Sequence, residues 1–110
     1  MAVRVYCDDP QELLQSIRAA IRNGKVDTWK VDSDGDFTHA PAQWAYLAWL
    51  RPKIFEDHIT FSILGSKNKK MSKLVYGVYH GRFIEMLLSH FDDQFTRALA
   101  TALPISTDSI

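Results

Sequence analysis

Residues 29–39 read Trp29-Lys30-Val31-Asp32-Ser33-Asp34-Gly35-Asp36-Phe37-Thr38-His39, two apolar-alternating runs about an Asp/Gly-rich centre. Such a stretch predicts a β-hairpin, and the turn fixes its register. A three-residue loop Ser33-Asp34-Gly35, with Gly35 in the left-handed position of a bulge, pairs Val31 with Phe37 and Trp29 with His39 on one face. A two-residue Asp34-Gly35 loop would set Val31 against Thr38 and Asp32 against Phe37, mixing core and solvent faces, so the bulged register is preferred. Antiparallel pairing at this point directs the reading of the rest of the chain.

On the N-terminal side, Val3, Val5 and Cys7 alternate with Arg4 and Tyr6 as a strand with one buried face. Asp9 and Pro10 then suit the N-cap and first position of a helix. Leu13, Leu14, Ile17, Ala20 and Ile21 form its apolar stripe, and Asn23-Gly24 ends it.

On the C-terminal side, Pro41 closes the hairpin, and residues 42–50 fit a short helix or an extended segment equally. Leu50 to Phe55 and His58 to Leu64 predict a second hairpin around Glu56-Asp57, with Ile54 opposite Ile59 and Leu50 opposite Ile63. Pro52 cannot donate to a ladder, which marks its strand as an edge or a broken one. After the polar loop 66–70, the alternation of Leu74, Tyr76 and Val78 predicts a further strand ending at His80-Gly81. A helix is expected from Arg82, with Phe83, Met86, Leu87, His90 and Phe91 inward. Ile84 and Leu88 widen its apolar face enough to imply deep burial. Phe91, Phe95, Leu99 and Ala102 extend that stripe unless Asp92-Asp93 caps a separate helix, and Pro104 stops either version.

The resulting order, β-α-β-β-(42–50 open)-β-β-β-α, predicts an α+β fold with a mainly antiparallel sheet of five or six strands and two helices packed on it. A length of 110 residues suits one compact domain, placed at 1–104, with residues 105–110 expected to fray. Six Phe, four Tyr and three Trp suffice to cover one sheet face, leaving any remainder for the other face or an oligomer contact.

Composition narrows the function classes. One cysteine, Cys7, permits no intramolecular disulfide, and no Cys/His spacing resembles a zinc site. The longest apolar run, Trp44 to Leu50, falls far short of the roughly 20 residues that span a bilayer. These features predict a soluble protein of the reducing cytoplasm with no metal and no cofactor. Thirteen Lys+Arg balance thirteen Asp+Glu, which argues against a generic polyanion binder. The charges are nevertheless segregated: Lys67, Lys69, Lys70, Lys73 and Arg82 occur between Gly65 and Arg82 without an acid, whereas Asp27, Asp32, Asp34 and Asp36 surround only Lys30.

Each candidate site has a plainer structural reading beside it. Asp32, Asp34 and Asp36 have alternating carboxylates, but Gly35 falls fourth and Gln43 twelfth, unlike a helix-loop-helix calcium site, so a turn is preferred. Cys7 is expected to be buried and inert. Tyr79-His80-Gly81-Arg82-Phe83, read as a strand-to-helix handover, offers an anion or ligand site from His80, Gly81, Arg82 and free amides, joined by Lys67, Lys69, Lys70 and Lys73. Its plainer reading is a turn with Arg82 paired to Glu85 or Asp57. His39 and His80 lie in no catalytic motif, so an enzyme built on either ranks last and no catalytic residue is assigned. Trp44, Tyr46 and Trp49 are core or, if exposed, an interaction patch. The leading expectation is a non-enzymatic protein-interaction or regulatory module, as a homodimer or with another protein. Nucleic-acid or anionic-ligand binding through residues 67–82 is the alternative.

Overall fold

The computed structural model describes residues 1–109, and Ile110 lies outside the described residues. The fold is α+β. Strands β1 (Ala2–Tyr6), β2 (Trp29–Val31), β3 (Phe37–His39), β4 (Ala48–Ile54), β5 (His58–Gly65) and β6 (Arg97–Ala100) join helices α1 (Pro10–Arg22) and α2 (Lys73–Phe91). They form one antiparallel sheet in the order β2-β3-β4-β5-β1-β6.

The first hairpin has the register set by its bulged turn: Trp29 faces His39 and Val31 faces Phe37, with Gly35 at φ 85°. The Asp32 carboxylate accepts from the amides of Asp34 and Asp36, so the acidic residues build the turn. In the second hairpin Ile54 faces Ile59 and Leu50 faces Ile63. Residues 42–46, open in the sequence, form turns, and β4 starts at Ala48. Pro52 sits in an interior strand, but β3 pairs with β4 only at Phe37 and Leu50, so Pro52 lies beyond the stretch that β3 covers. For a missing amide it is locally an edge.

Asp9 caps α1 as expected, its carboxylate accepting from the Glu12 amide at 3.1 Å, and Leu13, Leu14 and Ile17 go into the core. They meet Val3, Val5, Ile59, Phe61, Ile63, Leu50 and Phe37, which the strand registers place on one sheet face, together with Phe83, Met86 and Leu87 of α2. Both helices therefore cover the same face. Trp29, Phe37, Phe61 and Phe83 pack edge-on or tilted with centroids 4.6–5.8 Å apart, an arrangement favoured by ring quadrupoles.

Three expectations are corrected. Residues 74–78 are the first turns of α2, not a strand: Ser72 caps that helix by accepting from the Val75 amide, and Tyr79, His80, Phe83, Met86, Leu87 and Phe91 recur at helical spacing on its buried side. The alternation of Leu74, Tyr76 and Val78 arose because the helix is apolar nearly all round. The sixth strand instead follows α2, where Arg97–Ala100 pairs with the open edge of β1, Val3 facing Ala100 and Tyr6 facing Arg97. Helix-favouring Ala and Leu are overridden there by backbone groups of β1 that would otherwise lack partners. Finally, residues 105–109, expected to fray, are tied down. Asp108 accepts from the amides of Ile63 and Ile105, and Ser109 bridges β5 at Leu64.

Candidate binding surfaces

Helix α2 carries four of the residues singled out in the sequence, in a setting unlike the expected one. His80, Gly81 and Arg82 lie in its interior, so their amides are spent on intrahelical hydrogen bonds. The anion site built on free amides at a strand-to-helix handover is thereby overturned. His80 is buried, its Nδ1–H donating to the Tyr76 carbonyl, while its Nε2 is buried without a partner. It points away from Arg82, which pairs with Glu85 at 3.0 Å on the exposed side. The basic residues also part company. Lys73 and Arg82 flank a groove along α2, Lys67 borders a different cleft, and Lys69 and Lys70 are exposed in the connecting loop.

The outer face of α2 is the less expected feature. The wide apolar face expected from Arg82 onward implied deep burial, yet Leu88 is 55% exposed, and Leu74, expected in a strand, is 67% exposed on the same side of the helix. Between them Gly77, Val78 and Gly81 form a shallow groove flanked by Lys73 and Arg82, with Glu85 in the row between Gly81 and Leu88. Neither glycine has a positive φ, and a Cβ at either would meet no atom within 4 Å. A helix-interior glycine costs about 1 kcal/mol relative to alanine, and here nothing inside the chain accounts for it.

Around the edge of α2 the groove adjoins a second cleft of about 200 Å³, lined by Thr28, His39, Pro41, Trp44, Arg82 and Glu85. His39 lies against Trp29, as the hairpin register requires, with ring centroids 4.6 Å apart. Its Nδ1–H donates to the Thr28 carbonyl at 2.8 Å, which leaves Nε2 as the unshared acceptor. Burial pushes the His39 pKa down, against the pull of the Thr28 carbonyl, and Arg82 adds to the lowering. The imidazole is thus held neutral. The Pro41–Trp44 wall is pinned from within: Tyr79 Oη donates to the Trp44 carbonyl, Thr38 Oγ1 donates to the Ala48 carbonyl, and the Tyr46 amide donates to Thr38 Oγ1.

The proposed aromatic patch is divided by the fold. Trp44 walls the His39 cleft. Tyr46 is 57% exposed at φ 64°, with Lys30 Nζ 5.6 Å from its ring. Trp49 lies on the opposite side of the sheet, in a cleft of about 400 Å³ with Asp32, Asp34, Asp36, Arg51 and residues 64–68. That cleft brings the acidic turn next to Lys67, so the two charged segments abut and do not form opposite poles. Asp36 is buried and holds Arg51 through two hydrogen bonds of 2.8 and 2.9 Å. The three carboxylates converge within 4.8 Å, as the geometry of the Asp32 turn dictates. Cys7 is buried, and burial with Asp8, Asp9 and Asp57 pushes its thiol pKa up, away from nucleophilic use.

Among the described residues no helix is long and apolar enough to cross a membrane. No protein-family model, curated protein or solved structure was found that matches the chain.

Proposed function

We propose that the chain is a non-enzymatic interaction module that pairs with a second copy of itself through the outer face of α2. The observation that carries this reading is the mismatch between the helix and its cover. α2 is apolar on nearly every side, the pattern of a helix enclosed all round, but the rest of the chain packs against only one side. The groove at Gly77 and Gly81 lets another helix backbone approach closely. In an antiparallel pair related by a two-fold axis, Gly77 of one copy lies opposite Gly81 of the other, with Leu74 and Leu88 packing outward from the crossing point. A small domain gains stability from such a contact.

Sedimentation velocity over a wide concentration range tests the reading. A dimer should form as concentration rises, and Leu74→Lys with Leu88→Lys should keep the chain monomeric with an unchanged circular dichroism spectrum. A wild-type chain that stays monomeric throughout would overturn it.

A further inference from the structure

The sheet face turned away from both helices carries a feature that α2 pairing does not use. Strand registers place Arg4 and Tyr6 of β1, His58 and Thr60 of β5, Arg51 and Lys53 of β4, and Arg97 and Leu99 of β6 on this open face. Across it runs a column of planar groups. Phe55 stacks on His58 with centroids 4.5 Å apart and planes 7° from parallel, and His58 lies 5.0 Å from Tyr6. A cation caps each end: Lys53 Nζ is 5.3 Å from the Phe55 ring, and Arg97 Cζ is 4.3 Å from the Tyr6 ring. Four successive sheet positions thus contribute to one row.

Charge on this face is uneven: the acidic turn Asp32, Asp34 and Asp36 lies beside Arg51, away from the ring column. Arg4, Lys53 and Arg97 have no carboxylate within ion-pair distance among the described residues, whereas Arg51 is held by Asp36. Asp57 accepts from the His58 Nδ1–H, a hydrogen bond that pulls its carboxyl below the ordinary range, and its charge also acts on Arg97, so three cations stand against one acid here. A neutral molecule therefore presents a local cationic surface interleaved with rings, which its summed charge conceals.

We propose that this open face binds single-stranded nucleic acid. Exposed cation–π contacts are weak and exchangeable. When Lys53 or Arg97 swings off its ring, the vacated aromatic face accepts a base, and the released cation meets that nucleotide's phosphate. Arg4, two residues along β1 from Tyr6 and half-buried with its Nε unpartnered, is a third phosphate contact beside the row. Single strands suit this surface because their bases are free to stack, and because every base has a π face the selectivity among sequences is low. An acidic peptide would satisfy the cations and leave the rings without a role.

Fluorescence anisotropy of a labelled oligothymidylate of about 12 nucleotides, titrated with the full chain, tests this. Affinity should fall between about 50 and 200 mM salt with a log–log slope near −2, the value for about three phosphate contacts on a single strand. Lys53→Gln with Arg97→Gln should reduce that slope by about 1.4. Phe55→Ala, at a position 39% exposed and outside the core, should weaken binding by about fivefold or more with the slope unchanged. Absence of binding at the lower salt would overturn the proposal. So would equal competition by polyglutamate together with a Phe55→Ala affinity equal to wild type, which would assign the face to acidic chains.

Discussion

Tyr79 joins α2 to the first hairpin and to the 41–47 turn. Its ring packs edge-on against Trp29, and its hydroxyl reaches from α2 to the Trp44 carbonyl, 3.1 Å from the Thr38 hydroxyl of β3. Burial pushes its phenol pKa up, so the hydroxyl stays a donor. Tyr79→Phe keeps the ring and removes one of the two hydrogen bonds to the Trp44 carbonyl, which retains the Leu47 amide at 3.3 Å, and unfolding in urea should show a loss of about 1 kcal/mol. His39 sets a pH dependence. Its folded pKa lies below the ordinary 6.5, so the unfolded chain takes up the proton first as the pH falls. The stability it contributes is complete above about pH 6.5 and is lost as the pH drops through the folded value. The urea-midpoint gap between wild type and His39→Phe should therefore narrow from pH 7.5 to pH 5, and a gap that stays constant would contradict the assignment. Asp9, Gly35 and the bulged turn were legible in the sequence because each acts on backbone within a few residues. The positive φ of Tyr46 was not, since it follows from Thr38 accepting the Tyr46 amide across the fold.

Among the elements, α2 shows where a period-two pattern misleads. Leu74, Tyr76 and Val78 alternate as a strand would, but when apolar residues surround a helix, alternation and helical spacing coexist, and the polar cap at Ser72 becomes the more informative signal. The hairpins were readable because turn and strand agreed on one register. β6 was not readable from its own residues, because the unpaired edge of β1 determines its conformation. The glycines of α2 allow a prediction with two opposed readouts. Gly77→Ala and Gly81→Ala should each raise the stability of the isolated monomer by up to about 1 kcal/mol, since neither backbone angle nor neighbouring atoms require glycine. The same changes should weaken self-association by separating the helices. Thermal unfolding at low concentration and sedimentation at high concentration report the two effects separately.

For the whole molecule, the placement of both helices on one side of the sheet separates two surfaces. Pairing through α2 would leave the Phe55–His58–Tyr6 column of each copy facing outward, so a dimer would hold two strands apart and not fold one strand into a single cleft. The candidate site on the open face was only partly legible: the aromatic surplus was visible in composition, but its partners come from β1, β5, β6 and the end of β4, and no local spacing joins residues 6, 55, 58 and 97. The sheet order also bears on how the chain is made. β1 is synthesised before the other described strands and ends between β5 and β6, with Val3 facing Phe61 on one side and Ala100 on the other. Neither neighbour exists while α1 and the first hairpin emerge. A strand whose two neighbours both come later in the chain must wait for them, so completion of the sheet is deferred until synthesis has passed β6.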